Sequence, residues 1–144
     1  MTVVDGNGLP IGLHVASAQP HELTLAEPTL HTISVPQKRG RPKTRPKELV
    51  ADKAYDSAEF RRKLRHRGIK PTIPSFERRK RKKPKRGRPR SIGDSYQHRW
   101  KVERCFGWMD NCRRLVVRYD RHLHIYKAFC LLAIILWSID RILK

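Results

Sequence analysis

Apolar residues open the chain in two short runs, Thr2 to Val4 and Leu9 to Ala16, on either side of Asp5-Gly6-Asn7-Gly8. Asp-Gly and Asn-Gly between such runs are strong hairpin signals, so the pattern predicts two antiparallel strands. The first opens almost at Met1, and a two-stranded hairpin does not stand alone. The chain is therefore expected to start inside a larger sheet. Glu22 to Ile33 has the spacing of a short helix, with Pro28 as a candidate break. Glu48 to Ala51 reads as a strand ending at Asp52. Asp56 with Glu59 three residues on is the pattern of a capping box, predicting a helix to about Arg67 that closes at Gly68. Lys70 to Pro74 is a further short strand.

Tyr96 to Leu115 lacks Pro, has one Gly and reads as one long helix. At about 100° per residue, Tyr96, Arg99 and Glu103 share a face, and Arg114 returns to nearly the same angle. Val102, Cys105, Phe106 and Met109 form an apolar stripe beside them. The spacing alone is also that of a plain ion pair between Arg99 and Glu103. From Leu123 to Leu143, Ile125, Phe129, Leu132, Leu136, Ile139 and Leu143 recur at helical spacing, in a segment apolar almost all round. Its longest apolar run, Ala128 to Trp137, is about half a membrane span. A buried helix over 121–143 is the expectation. The order of elements predicts an α/β arrangement with an antiparallel start.

Charge changes this picture. The 144 residues carry a formal charge of +20, and none of the 33 Lys and Arg precedes Lys38. A neutral start followed by a strongly basic remainder suits a folded edge with a polyanion-binding surface, and nucleic acid is the leading partner. Two basic loops carry most of the charge. One covers 38–47 and includes Arg39 and Arg41. The other covers 76–92 and includes Arg78, Arg79, Lys80, Arg81, Lys82, Lys83, Arg86 and Arg88. Both contain Lys-Arg-Gly-Arg-Pro, which fits either a flexible loop tracking phosphates or an AT-hook-like strand in a narrow minor groove. Cys105, Cys112 and Cys130 form no C-x-x-C pair, and His122-x-His124 is a weak metal pattern. The chain reads as a reduced protein without a disulfide framework.

Two acids stand out by position: Asp52 at the end of a strand and Glu103 on the long helix. Carboxylates brought together on a phosphate substrate suit Mg²⁺, which takes one or two of them and completes its shell with waters and phosphate oxygens. Asp56 has the simpler role of a helix cap. Asp5, at the hairpin turn, is favoured there for local backbone reasons.

The motifs D-G-N-G-L-P-I-G, L-V-A-D-K-A-Y-D-S and R-W-K-V-E-R-C-F-G-W-M-D-N-C-R-R-L-V-V-R-Y-D resemble those of the DDE transposases of bacterial insertion sequences. The resemblance covers nearly the whole chain in the right order. It implies an RNase H-like fold, a mixed sheet with flanking helices, as one partial catalytic domain over 1–144 with the Glu-bearing helix at 93–115. It implies that Asp52 and Glu103 are two of three acids that hold Mg²⁺ or Mn²⁺, with Tyr96 and Arg99 in the family's Y-x2-R-x3-E-x6-K signature. The terminal Lys of that signature falls on Asp110, leaving Arg114 as the candidate replacement cation. The first Asp of the family lies upstream of the hairpin, so the chain is expected to be truncated at the N-terminus and inactive alone. An upstream frame would supply the other half. Also implied are double-stranded DNA as partner, a homo-oligomer in the DNA complex, no membrane, and a cytoplasmic, nucleoid-associated location. Two other classes remain: a non-catalytic basic DNA-binding protein derived from a transposase, and an RNA-binding protein. The second would need aromatic stacking positions on a sheet face, and only Tyr55 and Phe76 lie near the basic loops.

Overall fold

A computed structural model describes residues 1–75 and 92–143. The chain divides into two compact units, one of residues 1–44 with 100–144 and one of residues 45–99.

In the first unit, β1 (Thr2–Val4) and β2 (Pro10–Leu13) pair antiparallel, Thr2 opposite Leu13 and Val3 opposite Gly12, with a register shift between Val3 and Val4. The turn forms as its sequence dictates. Asp5 Oδ1 accepts from the amides of Asn7 and Leu9, both at 2.8 Å, and Gly8 takes the positive φ of 87° that closes the loop. Helix α1 (Glu22–His31) follows, capped by His21, whose Nδ1 accepts from Leu23 N. Pro28 does not break it. It sits in the last turn, so the helix absorbs the missing amide close to its end. Ala26, Thr29 and Leu30 are its buried face, and Gly12 faces the end of the helix. A Cβ at Gly12 would lie 2.9 Å from Thr32 Oγ1 and 3.3 Å from the Thr29 carbonyl, so this contact requires glycine.

The stretch read as one long helix is three pieces. Asp94–Arg99 is a 3-10 segment, α3 is Trp100–Met109 and α4 is Arg113–Val116. The chain turns at Asp110-Asn111-Cys112, where short polar side chains compete with helical hydrogen bonding. The break takes Arg114 out of the angular register with Glu103 that an unbroken helix would give. Of the apolar stripe on α3, Cys105 and Met109 are buried, whereas Phe106 is exposed.

Helix α5 (Leu123–Leu143) is where expectation and structure part most sharply. The core of the unit is Leu13, Cys105, Met109, Cys130 and Trp137, with Val4, Val15, Trp108, Leu115, Tyr126 and Ile134 packed around it. Helix α5 thus inserts Tyr126, Cys130, Ala133 and Trp137, at spacings of four, three and four, with the Trp137 indole stacked on Trp108 at 5.1 Å. The stripe expected to be buried is largely the opposite one. Ile125, Leu132, Leu136, Ile139 and Leu143 are all exposed, Leu136 by 64%. A helix apolar on every side gives hydropathy no means of choosing its buried face. Its stretch Leu123–Arg141 is long and apolar enough to cross a membrane, by length and composition.

The second unit is a parallel strand pair joined by a helix. β3 (Glu48–Val50) pairs with β4 (Lys70–Thr72), Glu48 opposite Lys70 and Val50 opposite Thr72. Between them run a 3-10 turn, Lys53–Tyr55, and α2 (Ala58–His66). Phe60, Leu64, Ile69 and Ile73 form its core, and Gly68 at φ 71° ends α2 as its position predicted. The cap is Ser57, whose Oγ accepts from Phe60 N at 3.4 Å, not Asp56. Asp56 instead pairs with Arg61 at 2.7 Å, both side chains nearly buried at 13% and 8% exposure. Arg61 also donates to the Ile73 carbonyl at 2.7 Å, so a buried guanidinium is engaged by one carboxylate and by the chain just after β4. In place of one mixed sheet, the described residues form two small sheets, one antiparallel and one parallel.

Candidate functional site

Asp52 leaves β3 and caps the following 3-10 turn: its Oδ1 accepts from the Lys53 amide at 2.6 Å. That bond fixes the carboxylate against its own backbone. Its second oxygen faces Arg99 Nη1 at 3.5 Å, and the Asp52 side chain stays 53% exposed. The structure brings Arg99, from the 3-10 segment, to Asp52.

A second carboxylate explains why Arg99 lies there. Glu48 on β3 accepts from Thr72 Oγ1 on the neighbouring strand and from Ser95 Oγ at 3.0 Å, and Lys70 Nζ lies 3.2 Å away. The Thr72 hydroxyl, helped by Ser95 and Lys70, holds the Glu48 carboxyl below its ordinary range. Glu48 therefore ties both strands to the 3-10 segment of Asp94–Arg99 that carries Tyr96 and Arg99. In the sequence Glu48 reads as an ordinary strand residue. Its only signal is a carboxylate opening a strand whose partner strand begins with a lysine.

Glu103 is exposed on α3 in the other unit, flanked in sequence by Val102 and Arg104 and two residues from Lys101. Arg114, on α4, donates to Asp120 Oδ1 at 3.0 Å and lies 4.7 Å over the Phe129 ring. Its charge is anchored in the bend before α5. Arg39 and Arg41 are exposed around Gly40, which has φ 87°. Arg78, Arg79, Lys80, Arg81, Lys82, Lys83, Arg86 and Arg88 lie outside the described residues. The three cysteines are free thiols, and burial pushes Cys105 up to about 11, which fits packing and not nucleophilic chemistry.

Among the described residues no three His, Cys, Asp or Glu side chains gather as metal ligands. An all-protein cage is not what Mg²⁺ requires, however, since one or two carboxylates with waters and phosphate oxygens suffice. The half-exposed carboxylate of Asp52, rigidly capped, is a donor of the right hardness and accessibility for that arrangement.

The chain matches the family described as "Transposase DDE domain" over residues 1–138. It belongs to that family. This DDE transposase chain is also 34% identical over 139 residues to the putative transposase for insertion sequence element IS402 of Burkholderia cepacia. That alignment takes in 94% of the present chain and 61% of the relative, so the chain spans less than two thirds of the relative's length. No solved structure matches the transposase chain. The family match and the relative agree with the motifs that suggested the family, and the α/β composition of the two units is consistent with a DDE domain.

Proposed function

We propose that this chain is the part of an insertion-sequence transposase that carries two of the three catalytic carboxylates, Asp52 and Glu103, within an RNase H-like domain spanning 1–144. The observation that carries the reading is Asp52: a strand-end carboxylate, capped on its own backbone and faced by the Arg of the family signature at 3.5 Å. The substrate is double-stranded DNA, cut at transposon ends and joined to a target in a homo-oligomeric complex in the bacterial cytoplasm.

Asp52 and Glu103 would hold Mg²⁺ or Mn²⁺, which when bound neutralises charge on the attacked phosphate and activates the attacking oxygen. The chain's own residues prepare for this. Arg99 holds Asp52 in orientation until phosphate and metal compete for it. Glu48 holds the segment of Tyr96 and Arg99 in place, so that the Tyr96 hydroxyl and the guanidinium meet the DNA backbone from a fixed support. Arg39, Arg41 and the basic stretch 78–88 neutralise phosphates along the strand, and Arg114 adds a fixed cation beside α5.

Manganese binding in the presence of duplex DNA tests the assignment. Asp52→Asn and Glu103→Gln are each expected to weaken Mn²⁺ binding by about tenfold or more while leaving metal-free duplex binding unchanged. Unaltered Mn²⁺ binding in both variants would favour the non-catalytic DNA-binding reading.

A further inference from the structure

Between α1 and β3 the chain closes a second loop. Val35 N donates to the Lys43 carbonyl at 2.9 Å and Lys43 N to the Val35 carbonyl at 2.8 Å, an isolated antiparallel bridge. Every residue from Pro36 to Thr44 is exposed. The tip is Lys38-Arg39-Gly40-Arg41, and Gly40 turns it with a φ of 87°. A Cβ at Gly40 would meet nothing within 4 Å, so packing makes no demand for glycine there; the left-handed turn does. Pro36 and Pro42 stand just inside the bridge on either arm, where their fixed φ narrows the shapes open to the loop.

The charges of this loop are not engaged by the protein. Among the described residues no side-chain hydrogen bond or ion pair holds Lys38, Arg39, Arg41 or Lys43. Arginines elsewhere are tied down: Arg45 donates to the Arg67 carbonyl at 3.0 Å, Arg61 pairs with Asp56, and Arg114 pairs with Asp120. Gln37 Nε2 donates to the Pro36 carbonyl at 3.0 Å, so the loop's one amide side chain is turned back on its own backbone. What the loop offers a nucleic acid is therefore its cations, with an arginine on each side of a bare glycine. Bidentate pairing of arginine with guanine in the major groove depends on a guanidinium fixed in place, and neither Arg39 nor Arg41 has a partner among the described residues to fix it. The narrow minor groove of A·T-rich DNA asks less. Its enhanced negative potential draws in an inserted arginine, and a glycine beside it lets the backbone approach closely.

We infer that the loop closed by Val35 and Lys43 reads the minor groove of A·T-rich DNA, with the Arg39 and Arg41 side chains in the groove and Gly40 allowing close approach. The inference rests on the proposed duplex substrate and deepens it. The two guanidiniums meet the phosphates of both strands from inside the groove, and the chain gains a preference among sequences that phosphate contacts alone do not give. The run Lys-Arg-Gly-Arg-Pro recurs at 85–89, outside the described residues, so the preference has to be assigned to the loop at 35–43 by substitution there.

The test is fluorescence anisotropy of the 144-residue chain on labelled duplexes of one length and one flanking sequence, differing in a central block of A·T, G·C or inosine·cytosine pairs. Inosine is guanine without its N2 amino group, so the inosine·cytosine block keeps the major-groove pattern of G·C and presents the minor-groove pattern of A·T. The unaltered chain should bind the A·T and inosine·cytosine duplexes about tenfold more tightly than the G·C duplex. In a variant with both Arg39→Ala and Arg41→Ala that ratio should fall to about one, while G·C binding weakens only by the loss of two charges. Both substitutions fall on exposed side chains, so the fold is retained. Equal binding of the unaltered chain to all the duplexes overturns the inference and leaves the transposase reading standing. An inosine·cytosine duplex bound like G·C puts the readout in the major groove and overturns it too. A preference that survives the double substitution belongs elsewhere in the chain and overturns the assignment to this loop. Failure to bind any duplex overturns both the inference and the DNA reading beneath it.

Discussion

Arg61 illustrates how one residue can carry a unit of this size. Its guanidinium is nearly buried, and Asp56 is the carboxylate that balances it at 2.7 Å. Removing one member of a buried pair leaves the other charged and desolvated, at a cost of about 3–5 kcal/mol. Asp56→Ala should therefore destabilise residues 45–99 by about 3 kcal/mol in urea unfolding. A loss below about 0.5 kcal/mol would show that Asp56 is only a surface acid. The sequence hid this pair because Asp56, Ser57 and Glu59 imitate a capping box, and the choice between Asp and Ser as cap depends on what lies above the helix. Glu48 makes a prediction in pH. Its carboxyl is held below the ordinary value of 4.5 by Thr72, so its contribution is fully present above that value and is lost as pH falls through the lowered one. Acid unfolding monitored with and without Glu48→Gln should show that the variant has lost part of the stability gained between acid and neutral pH. Identical profiles would remove Glu48 from its tethering role.

At the scale of elements, what could be read in advance was whatever depends on local chemistry. Asp-Gly-Asn-Gly makes a turn wherever it lies between apolar runs, and the Asp5 carboxylate closes it on the Asn7 and Leu9 amides. Gly68 ends α2 because its positive φ suits glycine. The strand before Asp52 was equally legible. What could not be read was whatever depends on a partner. The parallel pairing of β3 with β4 and the turn of Arg99 toward Asp52 are set by contacts outside the local window. Helix α5 is the clearest case, since the periodic large aliphatics marked the wrong side and the smaller Cys130 and Ala133 with Trp137 marked the packed one. Two substitutions one residue apart should separate these faces. Trp137→Ala should cost about 3–5 kcal/mol, and Leu136→Glu should stay within about 0.5 kcal/mol of the parent in thermal unfolding. Equal losses would mean that α5 is buried on both sides.

For the molecule as a whole, the charge of +20 suits the proposed DNA partner, and the two acids of the proposal lie one in each unit. Residues 45–99 carry Asp52, faced by Arg99, whose segment is tied down by Glu48. The unit of 1–44 and 100–144 carries Glu103, exposed on α3. That Asp52 follows a strand and Glu103 lies on a helix could be read without any knowledge of the strand pairings, because a strand end and a helix face are local features. The supporting residues were less visible: Ser95, Thr72 and Lys70 matter only through the carboxylate they share.

That Asp52 and Glu103 serve one metal is tested most directly by iron-mediated cleavage. Fe²⁺ is loaded in place of Mg²⁺ on the DNA-bound chain, peroxide and ascorbate generate radicals at the metal, and the cut positions in the polypeptide are mapped. Two clusters of cuts are predicted, around Asp52 and around Glu103, both lost in Asp52→Asn and both lost in Glu103→Gln. Cuts at only one of the two positions, or a pattern unchanged by either substitution, would contradict a shared metal.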